Sequence, residues 1–143
     1  MTDEGPLASP GFWLHHAALA WRAELDTRLR PLGLTPTQFM LLASAGWLGQ
    51  QSVAPTQQEV AEHAGADRMM TSKVVRDLDE RGLLTRQPDP DDGRVLRVQL
   101  TPAGRNLTKE AIAVATELDK IFFGANPTSL RATLRRIAQY RLT

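Results

Sequence analysis

The chain has 143 residues, of which 42% are hydrophobic and 23% charged, and its net charge is +1. That balance excludes a globally disordered chain, and the small net charge offers no bulk argument for a polyanionic partner. The absence of cysteine excludes disulfides, thiolate metal sites and thiol redox switching.

The length suits one domain, 1–143, with its own core. The first residues, MTDEGPLASPG, carry no basic stretch and no apolar one. No run approaches the roughly 18–20 apolar residues that span a bilayer. A soluble, cytoplasmic protein with no membrane partner is expected. Residues 1–10 hold two prolines and a glycine and read as a loose arm.

From Gly11 the pattern turns helical. Leu14, Ala18, Trp21, Leu25, Leu29 and Leu32 recur at spacings of three and four, and Gly33 supplies a stop. Thr35, Pro36 and Gln38 form a capping box for a second helix running to about Leu48. Thr56 and Glu59 form another, opening a short helix over 57–64 that Gly65 closes. Asp67 then caps a helix reaching about Arg81, with Gly82 beyond it. Two helices joined by a tight glycine-containing turn are the helix-turn-helix signature.

Leu83–Arg86 reads as a strand and Val95–Leu100 as its return, around a tip of Pro, Asp and Gly. Thr101 and Pro102 open a long helix with Leu107, Ala111, Val114, Leu118 and Ile121 or Phe122 on one side. Asn126-Pro127 starts a last one bearing Leu130, Leu134 and Ile137. The fold expected is mainly α with a small β-wing: a winged helix-turn-helix over 35–100, flanked by helices over 11–32 and 102–141. Those outer stripes lie beyond the compact middle, and a second copy of the chain is the simplest cover, giving a two-fold homodimer.

Only Lys73, Lys109 and Lys120 are lysines, so fourteen of the 17 basic residues are arginine. Arginine suits bidentate contact with phosphates and guanine edges, and it is equally the mark of a high-GC genome. Position decides between these. On the helix over 67–81, Thr71, Val74, Val75 and Leu78 fall at core spacing. Met69, Ser72, Lys73 and Arg76 fall opposite, with Arg68 at the N-terminal end. Beyond the Asp67 cap, neither face carries a carboxylate before Asp77, so the N-terminal half can enter a major groove without repelling phosphates. Ser72 and Arg76 suit phosphates, Arg68 and Lys73 guanine, and Met69 a thymine methyl.

The hairpin would then lie over the neighbouring minor groove, whose narrow form attracts an inserted arginine. Arg94, just past the tip, is the candidate, and Asp92 can hold its guanidinium in place. Asp89 and Asp91 are read as outward-facing turn formers, with Arg86 and Arg97 reaching for phosphates. A calcium loop counted from Asp89 fails, because Gly93 and Leu100 stand at its fifth and twelfth positions, where ligands are needed.

With these residues in hand, the chain resembles the multiple-antibiotic-resistance regulator (MarR) family. The matching segments are LGLTPTQFMLL (Leu32–Leu42), TQQEVAEHAG (Thr56–Gly65), DRMMTSKVVRDLDERGLLTR (Asp67–Arg86), PDPDDGR (Pro88–Arg94) and LTPAG (Leu100–Gly104). The resemblance implies a homodimer built from the first and last helices. It implies a repressor seated on a pseudo-palindromic double-stranded operator and released by a small, often aromatic or phenolic, effector. It makes Arg94 the wing-tip arginine and Asp92 its anchor. Met69-Met70 depart from the small polar residues more usual there. The implied effector pocket would draw on Trp13, His15, His16, Trp21, Phe39 and Trp47, chiefly His15, Trp21, Phe39 and Trp47, although core or dimer-interface packing is the favoured reading of the tryptophans and Phe39.

No metal site or cofactor is expected, since three histidines without cysteine are poor ligand supply. No nucleophile elbow, phosphate loop or H-E-x-x-H occurs, so no enzyme is expected. The competing reading is a winged helix without ligand response, acting as a constitutive DNA-binding or protein-contact module. The acid-free face of the 67–81 helix argues against the protein-contact form.

Overall fold

The computed structural model describes residues 4–51 and 53–140. The expectations for positions 1–3 and 141–143 lie outside these. Helix α1 (Pro10–Leu29) starts at Ser9, whose hydroxyl accepts from Phe12 N. The expected loose arm is instead folded over its described part. Gly5–Ala8 form a 3-10 turn, and Trp13 Nε1 donates to Leu7 O at 2.9 Å. The apolar stripe of α1 is buried only at its C-terminal end, by Leu25 and Leu29. Trp13, Leu14 and Leu19 are exposed.

A 3-10 turn (Arg30–Leu32) then runs into Gly33, whose φ of 72° requires glycine's freedom. Both expected capping boxes form. Thr35 and Gln38 start α2 (Pro36–Leu48), and Thr56 and Glu59 start α3 (Gln57–Ala64). Asp67 accepts from Met69 N and opens α4 (Arg68–Glu80). The antiparallel wing pairs β1 (Leu84–Pro88) with β2 (Leu96–Leu100), in register Leu84 to Leu100 and Pro88 to Leu96. β1 runs two residues further than the sequence suggests; Pro88, which has no N–H to give, sits at its end.

Helix α5 (Pro102–Phe123) follows a Thr101 cap, and α6 (Thr128–Gln139) ends the described chain. The core joins Leu25 and Leu29 of α1, Leu41 and Leu42 of α2, Val75 and Leu78 of α4, Val98 of β2, and Ala111 and Leu118 of α5. One close approach locks α5 to the wing. A Cβ on Gly104 would stand 1.8 Å from Leu83 O. Helix α6 buries nothing: Leu130, Leu134 and Ile137 are exposed, as are Ile121 and Phe122 near the end of α5.

Candidate nucleic-acid interface

Helix α4 is amphipathic about the line that the sequence draws. Thr71, Val75 and Leu78 are buried and Val74 is half-buried. Arg68, Met69, Lys73 and Arg76 are exposed, and Ser72 is half-buried beside them. Arg68, Lys73 and Arg76 have no ion-pair partner among the described residues. Two of the three acids at the other end of the helix, Asp77 and Asp79, are engaged. Asp79 Oδ2 accepts from Arg86 Nε at 2.8 Å, and Asp77 Oδ2 from Gln38 Nε2 at 3.5 Å. The exposed N-terminal half therefore presents positive charge, with Met69 84% exposed at its tip.

The wing tip is ordered by its own aspartates. Asp92 Oδ1 accepts from Arg94 N and Arg94 Nε, both at 3.1 Å, and Asp92 Oδ2 from Arg94 Nη2 at 3.3 Å. The Arg94 side chain nevertheless remains 91% exposed. It is a long cation held upright at the end of a hairpin, as the sequence suggests for this pair. The Arg94 hydrogen bonds hold the Asp92 carboxyl below its ordinary pKa.

Three expectations are corrected here. Asp89 does not face outward. Its Oδ1 accepts from Arg97 Nε at 2.5 Å, and its Oδ2 from the N–H groups of Asp91 and Asp92. These bonds, that from Arg97 foremost, hold its pKa below the usual carboxylate value. Arg97 does not reach out for phosphate either. Its Nη1 donates to Ala54 O at 2.6 Å, clasping the wing to the segment before α3. An isolated Thr56–Arg97 bridge and a Val98 N to Pro55 O bond reinforce that seam. Arg86 is drawn back onto α4 by Asp79. Each of these two arginines meets a carboxylate that the fold places close by, and the half-buried setting strengthens the pairing over a solvated alternative.

The sequence reading missed Asp79 and the Ala54 carbonyl as partners. Only the charge pattern across the hairpin signals the Asp89–Arg97 pair. It also missed that Arg68 and Arg94 line one cleft of about 360 Å³, together with Gln57 and Thr71, between α3, α4 and the wing.

The four residues suggested for an effector pocket do not converge within one chain. His15 is on the exposed half of α1, and Phe39 is in the core. Trp21 is half-buried, with Nε1 donating to Asp119 Oδ1 at 2.9 Å and so tying α1 to α5. Trp47 lines a separate open groove of about 560 Å³ with Gly46, Gln50, Leu100, Arg105 and Ile112. No group of three or more potential metal ligands is clustered among the described residues, and no helix there is long and apolar enough to cross a membrane.

Comparison with known proteins adds to this geometry. The MarR family profile matches residues 34–96. The HTH-type transcriptional regulator YdcH of Bacillus subtilis is 33% identical over 121 residues, covering 85% of this chain and 82% of that protein. The HTH-type transcriptional repressor Rv2887 of Mycobacterium tuberculosis is 33% identical over 119 residues, 83% of this chain and 81% of that one. A structure of Rv2887 with salicylic acid superimposes with a TM-score of 0.66 at 28% identity, covering 97% of this chain and 98% of that one. CouR from Rhodococcus jostii, solved bound to p-coumaroyl-CoA, superimposes with a TM-score of 0.81 at 27% identity, covering 98% of this chain and 99% of that one.

Proposed function

The chain belongs to the MarR family of transcriptional regulators, and from that premise we propose that it is a homodimeric repressor that binds a pseudo-palindromic operator and leaves it when a small molecule binds. The observation that carries this reading is the pairing of two positive surfaces side by side. The N-terminal half of α4 is cationic and free of exposed acids, and the wing raises a pinned, exposed Arg94 beside it. A major groove accepts the first and the adjacent narrow minor groove the second. Met69, Ser72, Lys73 and Arg76 face the major groove in this reading, Arg68 lies toward the strand between the two grooves, and Asp92 orients Arg94. Arg86 and Arg97 hold the wing rather than the DNA.

The homodimer is supported by the exposed apolar residues of α1, α5 and α6, which one chain leaves uncovered. Two lobes then engage half-sites about 34–36 Å apart, so a modest change in their separation costs much affinity. The relatives bound to salicylic acid and to p-coumaroyl-CoA support release by an organic acid or its CoA thioester. The protein acts in the cytoplasm and performs no catalysis in this reading.

The test is a mobility shift of the purified protein on its own upstream DNA at two salt concentrations, with Arg94→Ala in parallel. The expected result is a sequence-specific shift that weakens with salt. Arg94→Ala should lose about tenfold or more in affinity, roughly 1.4 kcal/mol. Binding that ignores sequence, or that Arg94→Ala leaves unchanged, refutes it.

A further inference from the structure

In a chain without cysteine, the oxidisable sulfur lies wholly in the four methionines. Met1 lies outside the described residues, and Met40 is half-buried against the core. Met69 and Met70 are different: they stand 84% and 52% exposed in the first turn of α4. Two apolar side chains thus face water in the turn that the proposed dimer lays in the major groove. Both flank one cation. Lys73 is four residues beyond Met69 and three beyond Met70, the two spacings that bring side chains together along a helix. Lys73 is exposed and has no ion-pair partner among the described residues.

We propose that Met69 and Met70 form an oxidation site, and that conversion of their thioethers to sulfoxides by a peroxide reversibly weakens DNA binding. The sulfur lone pair attacks one peroxide oxygen. The S–O bond forms and the O–O bond breaks, so sulfur loses two electrons and the peroxide gains them. The other oxygen leaves as water or an alcohol, carrying the proton of the transferred one. A flexible apolar group becomes a polar acceptor.

Two effects follow at the interface. A sulfoxide holds its own water, and so gives up the contact of Met69 with a thymine methyl. Its oxygen also accepts from Lys73 Nζ within one turn, engaging on the protein a donor that a base or phosphate requires. Reversal draws two electrons from outside thiols, which this cysteine-free chain does not supply. The oxidation site stands on exposure and sulfur chemistry; the loss of DNA binding rests on the operator-binding reading.

The test treats the full chain with graded hydrogen peroxide and locates sulfoxide by peptide mass spectrometry. Met69 and Met70 should oxidise about fivefold faster than Met40, following exposure. Tm should stay within about two degrees of the untreated protein, since neither side chain is buried. In a mobility shift on the upstream DNA, the oxidised protein should bind about tenfold more weakly. Reductases acting on both sulfoxide epimers should restore the affinity. Each variant is compared with its own untreated form. Met69→Leu combined with Met70→Leu should keep its affinity through the treatment, whereas Met40→Leu should lose it as wild type does. Met69→Gln, a permanent polar acceptor, should bind more weakly than Met69→Leu without any peroxide. The proposal is overturned if Met40 oxidises as fast as the exposed pair, or if the doubly substituted protein loses affinity as wild type does. Untreated protein that binds no specific DNA, yet oxidises first at Met69 and Met70, sinks the repressor and keeps the site. Specific binding that full oxidation of both residues leaves unchanged sinks the switch alone.

Discussion

Asp89 and Asp92 sit three residues apart in the wing loop and hold different arginines for different ends. Asp89 is half-buried and clamps Arg97 into the fold, whereas Asp92 holds an exposed Arg94 upright. The first pair shapes the hairpin; the second restricts a long side chain before it meets a partner, so less rotamer freedom is lost on binding. Both carboxyls titrate below their ordinary value of 3.8. A lowered folded-state pKa means that each contributes fully above that value and loses its effect as pH falls through the folded one. Carboxyl-carbon NMR should therefore give midpoints below 3.8 for both residues, and Arg94→Ala should move that of Asp92 upward; a midpoint at or above 3.8 in the wild type would contradict the pairing. Operator affinity should accordingly show no dependence on these two groups between about pH 5 and 8. Asp89→Ala should speed amide exchange across the wing while α1, α2 and α4 keep their protection. Equal loosening everywhere would show that the clasp supports the whole fold.

At the scale of elements, local signals and distant ones separate cleanly. The two capping boxes, the Asp67 cap and the glycines ending α3 and α4 were legible because each is written within a few adjacent residues. Thr56→Ala should cost about 1 kcal/mol of stability in denaturant unfolding, the usual value of a lost cap. The Arg86–Asp79 and Arg97–Asp89 pairs were not legible in their true form. Prolines, aspartates and a glycine describe a solvated turn to any local reading, and only the closed hairpin brings position 97 to position 89. The α1 stripe was legible as a helix but not as a half-covered one, since periodicity identifies an apolar face without saying which molecule covers it. Phe39 was suggested for a pocket and lies in the core, because an aromatic residue on a helix face reads the same in either place. Gly104 shows the opposite kind of silence. In LTPAG it looks like an early-helix glycine of no consequence, yet any side chain there meets Leu83 O. Gly104→Ala should destabilise the protein by about 3 kcal/mol or more, with the separation of α5 from the β1 entrance as the structural cause. A thermal shift within a degree of wild type would show that the two backbones part at little cost.

For the whole molecule, the uncovered apolar residues of α5 and α6 decide what the stable unit is. A monomer would expose Ile121, Phe122, Leu130, Leu134 and Ile137 to water together. Leu134→Glu with Ile137→Glu should convert a dimer to a monomer in sedimentation velocity. The monomer should lose most of its operator affinity even though α4 and the wing are untouched, because each half-site alone is weak. A sedimenting monomer in the wild type would contradict the proposed assembly. How such an assembly would measure its target depends on how the wing is fastened. The wing is fastened to α4 through Arg86–Asp79 and to the approach to α3 through Arg97 and Ala54. In the proposed dimer on its operator, each lobe would be a pair of callipers with its jaws soldered, set to one width between neighbouring grooves. Any adjustment that silences the protein without altering those jaws must be made at the hinge between two such instruments.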